Sequence, residues 1–124
     1  MSEADLADKM LDLAHKTGWW WHHTRPAWTP KGFRSPLGGH TGFPDYVLAR
    51  TVGRALNKAV TDAFGVDEIF PRWASQLLIV ELKTELGALS DAQEEWRRRL
   101  EPTGCYRLWR PSSWPEIEHD LITR

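Results

Sequence analysis

Leu77-Leu78-Ile79-Val80-Glu81-Leu82-Lys83 (LLIVELK) is the stretch on which the fold turns. Seven residues rich in branched apolar side chains read as a strand. Side chains alternate across a strand, so Leu78, Val80 and Leu82 share one face and Ile79, Glu81 and Lys83 share the other. Two opposite charges therefore emerge side by side at the end of an apolar strand. Upstream, Phe43 to Arg50 (FPDYVLAR) reads as a second strand that carries Pro44-Asp45. Together they write the pattern PD…ExK.

Outward from these strands the chain reads as alternating elements. Residues 3–17 form an amphipathic helix with Leu6, Met10, Leu13 and Ala14 at helical spacing. Ser2 and Asp5 have capping-box spacing, Glu3 continues the apolar stripe back one turn, and Gly18 ends the helix. Trp19 to Thr24 (WWWHHT) is strand-like. Residues 25–42 make a long loop punctuated by Pro26, Pro30, Pro36, Gly32, Gly38 and Gly39. A helix is expected over 53–64 and irregular chain over 65–75. Ser90 opens a helix over about 91–101, ended by Pro102 and Gly104. Cys105 to Trp109 is a further strand, and Pro115 starts a short last helix. The order is helix, three strands, helix, strand, helix: an α/β chain forming one domain over residues 1–124.

Composition narrows the function classes. Sixteen basic and 17 acidic residues give a formal charge of -1, so the chain is not a general nucleic-acid coat, which would be strongly basic. Positive charge is instead local: Arg25, Lys31, Arg34 and His40 share the 25–42 loop with Trp28 and Phe33, and no acid lies among them. No apolar run approaches the roughly 20 residues of a spanning helix. The polar start MSEADLADKM is not expected to be a signal peptide. A lone cysteine, Cys105, forms no intramolecular disulfide and no cysteine-based zinc site, which suits a reducing cytoplasm. Eight tryptophans against two methionines and two tyrosines are the compositional oddity. Trp19, Trp21, Trp96 and Trp109 are expected in the core.

The chemistry that suits PD…ExK is metal-assisted phosphodiester hydrolysis. Mg²⁺ prefers hard oxygen ligands and needs only one or two carboxylates beside water and phosphate. Asp45 and Glu81 can supply them if their strands pair, with the Leu82 carbonyl as a third ligand. Lys83, on the side of Glu81, can hold the attacking water or neutralise charge on phosphorus. The same residues can also be a solvated Glu–Lys pair at a strand end.

The motifs in register resemble the VRR-NUC branch of the PD-(D/E)xK nuclease superfamily, in its small stand-alone phage and prophage form. The residues that carry the resemblance are Glu3, Gly18-Trp19, His23-Thr24, Gly42-Phe43-Pro44-Asp45, Glu81-Leu82-Lys83-Thr84, Gly87, Leu89-Ser90, Gln93, Trp96, Leu100, Gly104, Trp109-Arg110-Pro111 and Trp114-Pro115-Glu116-Ile117. They span nearly the whole chain, and the run from Glu81 to Trp96 is the most specific. The resemblance implies a restriction-endonuclease-like core of αβββαβ order with a short C-terminal helix. It implies Mg²⁺ or Mn²⁺ at Asp45 and Glu81, a catalytic Lys83, and Glu3 and Gln93 reaching the site from the two helices. It further implies a homodimeric endonuclease acting on branched DNA such as four-way junctions, in the host-cell cytoplasm if phage-encoded. The longer 25–42 loop and an apparent insertion at 51–76 depart from the family pattern.

Several residues carry two readings. Glu3 suits any first helical turn through the helix dipole. Ser90-x-x-Gln93 is itself a capping box, so the Gln93 side chain can close on the Ser90 amide rather than reach the site. His22 and His23 point to opposite sides of a strand, which argues against a zinc site. His23, the family match, can contact phosphate or water, or be a structural histidine. Arg25, Lys31 and Arg34 are candidate phosphate contacts, and Trp28 can stack on an unpaired base or pack on the core. Arg97, Arg98 and Arg99 read as a solvated helix face offset by Glu94 and Glu95. Rival readings for the whole chain are a flap, single-strand or restriction-like nuclease, and a non-catalytic DNA-binding module.

Overall fold

The computed structural model describes residues 1–23, 27–29, 32–34, 39–53 and 74–123. Helix α1 spans Glu3–Lys16, and Ser2 caps it in a closed capping box with Asp5. The strands are β1 (Trp20–His23), β2 (Ala27–Thr29), β3 (Gly32–Arg34), β4 (Tyr46–Gly53), β5 (Ala74–Leu82) and β6 (Tyr106–Trp109). Helix α2 covers Asp91–Leu100 between β5 and β6, and α3 covers Trp114–Ile122 at the end. Short 3₁₀ turns at Glu101–Thr103 and Pro111–Ser113 lead into β6 and α3.

Four strands form one mixed sheet in the order β1-β4-β5-β6. The β1/β4 and β4/β5 pairs are antiparallel and β5/β6 is parallel. A parallel pair needs a long crossover, and the segment containing α2 provides it. β2 and β3 make a separate hairpin, with Trp28 opposite Phe33 and Arg34 opposite Ala27. The basic loop thus includes two short strands among its described residues. Arg25 and Lys31 lie outside the described residues, as does nearly all of the helix expected at 53–64. Of the apparent insertion, the described ends are strand: Thr51 pairs Ser75 and Gly53 pairs Ala74, around a β-bulge.

The alternation expected of LLIVELK is present. Leu78, Val80 and Leu82 are buried, together with Leu48, Tyr46 and Trp109 from the neighbouring strands. α1 brings Leu6, Met10 and Ala14 to this face, and α3 brings Ile117 and Leu121. Full burial of each such Leu or Ile is worth roughly 1.5–3 kcal/mol, so this layer is the main source of stability.

Arg50 is the buried exception. Its guanidinium donates to the carbonyls of Thr17, Leu121 and Thr123 and to Gln76 Oε1. It also lies 4.4 Å from the centre of the Trp19 ring. Helix C-termini leave carbonyls unpaired, and a cation suits that end of the dipole. One side chain therefore ties the ends of α1 and α3 to the sheet. Its burial is not signalled by its sequence neighbours.

The tryptophans divide. Trp19 and Trp109 are core, as expected. Trp21 is 48% exposed and Trp96 only half-buried, against expectation. β1 is a sheet edge, and α2 has no fully buried residue, so neither element can enclose an indole. Among the described residues no helix is long and apolar enough to cross a membrane.

Candidate active site

The PD and ExK elements meet at one end of the sheet. Tyr46 pairs with Val80 in β4/β5, which sets Asp45 and Glu81 beside each other just beyond that pair. Asp45 lies immediately ahead of β4 rather than inside it. Pro44 before it is fully buried, and proline fixes φ, so the Asp45 backbone enters the sheet from a set direction. The Asp45 Oδ2 accepts the Leu82 amide at 3.0 Å. This one bond clamps the carboxylate to the strand that carries Glu81.

Glu81 is 2% exposed. On the face opposite the main core, its Oε1 accepts the Gln93 amide Nε2 at 2.9 Å from α2. The Lys83 ammonium stands 3.8 Å from the same oxygen, with its side chain 15% exposed. Burial pushes the Glu81 carboxyl up to about 8; the neighbouring Asp45 and Glu3 charges add to this, and Lys83 opposes it. Tyr106, buried on the same face, has its hydroxyl pushed up to about 12 by burial, with the Glu81 charge contributing.

Gln93 resolves its two readings by doing both. Its Oε1 accepts the Ser90 amide at 2.8 Å, while Ser90 Oγ accepts the Gln93 amide, so the capping box is closed. The opposite end of the same carboxamide grips Glu81. Gly42 allows the approach of α2: it has φ +86°, and a Cβ there would stand 2.7 Å from Ala92.

Glu3 is exposed in the first turn of α1, where Asp5 rather than Glu3 closes the capping box. It lines a cleft of about 250 Å³ with Asp8, His23, Asp45, Tyr46 and Leu82. His23 faces into this cleft and stacks on Tyr46, ring centres 4.2 Å apart, whereas His22 is exposed on the other side of β1. Asp8 and Tyr46 were not singled out from the sequence. Asp8 lies one helical turn from Ala4, which lines the same cleft, but off the stripe that carries Glu3, Leu6 and Met10, so helical spacing does not mark it.

Arg110 has a role that its sequence position only hints at. It donates to the carbonyls of Thr84 and Gly87, at 2.6 and 2.7 Å, and so holds the turn between Lys83 and α2. Gly87 fits because a Cβ there would meet the Thr84 hydroxyl at 2.8 Å. Arg97, Arg98 and Arg99 are paired with Glu94, Glu95 and Glu101 along α2, the solvated face expected of them.

Of the expected site residues, Asp45, Glu81, Leu82, Lys83 and Gln93 gather in one place, with Glu3 and His23 on the adjoining cleft. Trp28 and Arg34 lie on the separate β2/β3 hairpin. Among the described residues, no set of three or more Asp, Glu, His or Cys side chains is grouped so as to hold a metal ion by itself. A scan of protein-family models finds no match to this chain, and searches of curated proteins and of solved structures find none either.

Proposed function

We propose that this chain is a divalent-metal-dependent DNA endonuclease of the VRR-NUC branch of the PD-(D/E)xK superfamily, acting on branched DNA. The observation that carries the reading is the meeting of Asp45, Glu81, Lys83 and Gln93 at one end of the sheet. Residues from three separate segments of the chain converge there, two of them acids that repel each other. A structural role alone gives no reason to bury Glu81 next to Asp45.

The donor set suits a hard dication. Both acids offer only oxygen, and Glu81 is desolvated beside a second carboxylate with one lysine as partial offset. Mg²⁺ or Mn²⁺ would be held by Asp45, Glu81 and the Leu82 carbonyl, with water and substrate phosphate completing the shell. Such a shell needs no third acid from the protein. When bound, the ion lowers the pKa of a water and offsets charge on the phosphate.

The chain's own groups do the remaining work. Lys83 holds the attacking water and balances charge accumulating on phosphorus. Gln93 fixes the Glu81 carboxylate from one side while its own carbonyl is anchored at Ser90. In the hydrolysis, the water oxygen bonds to phosphorus and the bond from phosphorus to the 3′ oxygen breaks. The water's proton passes to solvent and the 3′ oxygen takes one up, leaving 5′-phosphate and 3′-hydroxyl ends. Resolving a junction needs two cuts on symmetric strands, hence a two-fold dimer.

Cleavage of four-way, flap and linear DNA with Mg²⁺ tests the reading. The four-way substrate is expected to be cut fastest, and Asp45→Asn and Lys83→Ala to abolish cutting. If both variants cleave as fast as the parent, the site assignment is wrong.

A further inference from the structure

Two ways lead out of the candidate site, and they differ in charge. One is the cleft beside α1, whose lining includes three acids, Glu3, Asp8 and Asp45. A phosphate backbone is repelled from it. The other runs along the sheet face that carries Glu81, away from α2 towards β1. On this face the register sets Ile79, Val47 and His22 in one row and Leu77, Ala49 and Trp20 in the next. His22, Ala49 and Trp20 are exposed, Leu77 is 45% exposed and Trp20 is 84% exposed. A cavity of about 380 Å³ at the β1 edge is lined by His15, Gly18 and Trp19 to Trp21, with no acid among them.

Trp20, Ala49 and Leu77 form a contiguous exposed row that ends on an edge strand, and contiguous apolar patches mark interaction sites. Aromatic faces hold unpaired bases by stacking, with little regard to sequence. From Glu81 to Leu77 is four residues, about 13 Å along a strand. Trp20 lies two strands across from Leu77, about 10 Å more at the spacing of neighbouring strands, so the direct span from Glu81 is about 16 Å, the length of about five nucleotides at the roughly 3.4 Å spacing of a stacked strand.

We infer that Trp20 is a stacking platform for an unpaired base of the DNA substrate, about five nucleotides from the phosphate cleaved at the Asp45–Glu81 site. The strand leaves the site across this sheet face, past His22, and its base closes on the Trp20 indole. The substrate class is thereby branched DNA with a strand unpaired beside the cut, as at an opened junction or a flap, and a linear, fully paired duplex does not reach the platform. This deepens the nuclease reading and rests on it.

The test measures binding without cleavage. Fluorescence anisotropy of a labelled twelve-nucleotide oligothymidylate and of a blunt twelve-base-pair duplex is recorded without divalent metal. The proteins are the parent, Trp20→Ala and Trp20→Phe. Trp20→Ala is expected to bind the single strand about 5- to 150-fold more weakly, the range spanned by loss of one stacked base. Trp20→Phe is expected to restore part of that loss, and duplex binding to stay unchanged. The inference is overturned if Trp20→Ala binds the single strand like the parent, or loses strand and duplex equally. It is also overturned if sedimentation shows that Trp20→Ala only splits a dimer, which would make the patch a contact between copies of this chain. Because no metal is present, the outcome is separate from whether the protein cuts DNA: a parent that cleaves nothing sinks the nuclease reading, and an unaffected Trp20→Ala sinks this one.

Discussion

Glu81→Gln replaces a buried carboxyl with an amide of the same shape, and the consequence depends on pH. In the folded chain the Glu81 carboxyl is held at about 8, chiefly by burial and then by Asp45, against an ordinary 4.5. Below pH 4.5 folded and unfolded chains are both protonated there, and nothing is lost. As pH rises from 4.5 towards 8 the unfolded chain releases its proton while the folded chain keeps it, so folding becomes progressively less favourable. Above 8 the loss is complete. At 1.36 kcal/mol per pH unit it amounts to roughly 5 kcal/mol, a ceiling that water penetration lowers. That is a large part of the 5–15 kcal/mol typical of a domain. Glu81→Gln has no such proton to hold. Its Oε1 can still accept the Gln93 amide, so the loop and helix stay in place. Urea denaturation in EDTA from pH 5 to 8.5 should therefore show the variant gaining on the parent by up to about 4 kcal/mol over that range. Titrating groups away from Glu81 cancel in the difference. Adding Mg²⁺ at pH 8 should restore the parent, whose ionised Glu81 is then matched by a cation, and leave the variant nearly unmoved. A difference between the two proteins that is flat from pH 5 to 8.5 would refute the burial argument. An equal Mg²⁺ effect on both would refute the ligand role.

Three further outcomes follow from the packing. Gly42→Ala should destabilise the fold by about 2 kcal/mol or more in urea denaturation, since φ is +86° and the added methyl meets the Ala92 backbone, and it should slow cleavage by displacing Gln93. Arg50→Met should cost roughly 3–5 kcal/mol, because the carbonyls of Thr17, Leu121 and Thr123 lose a charged donor inside the fold, with a correspondingly lower Tm. Gln93→Glu keeps a residue that can close the capping box but sets a carboxylate against Glu81, so its stability should fall with rising pH more steeply than the parent's, whereas Gln93→Ala should lose about 1 kcal/mol for the cap and, having lost a neutral donor to the Glu81 carboxylate rather than gained a charge, steepen the pH dependence less than Gln93→Glu does.

Much of the fold is legible because its signals are local. Ser2 with Asp5 and Ser90 with Gln93 mark two helix starts to the residue, because capping acts within one turn. LLIVELK marks the central strand because one of its faces is buried in a continuous core, and alternation records that burial directly. β1 is legible as a strand, but the fate of its tryptophans is not. Whether Trp20 or Trp21 is covered depends on β1 being the sheet edge, which is a property of strand order and not of WWWHHT. Arg50 fails for the same reason. Its partners are carbonyls that follow α1 and end α3, brought together only by the tertiary fold. The site is legible as a set of residue types, with Asp45, Glu81 and Lys83 given by PD…ExK. Tyr46, Asp8 and Tyr106 join it through cross-strand and helix-to-sheet neighbours that no spacing rule records.

Gln93 shows why a residue with two readings in sequence need not choose between them. A capping box uses the carbonyl end of the glutamine, which accepts the Ser90 amide. The amide end of the same side chain has two protons and no role in the cap. At an ordinary helix start that end meets water. Here the helix is pressed against the sheet by the absence of a side chain at Gly42, and the amide end meets Glu81 instead. The cap already holds the glutamine side chain, so gripping Glu81 costs little further side-chain entropy. A glutamate at 93 would cap equally well and repel Glu81; an alanine would do neither. Only a residue with an acceptor at one end and a neutral donor at the other serves both, and the start of α2 and the orientation of Glu81 are therefore set by one side chain.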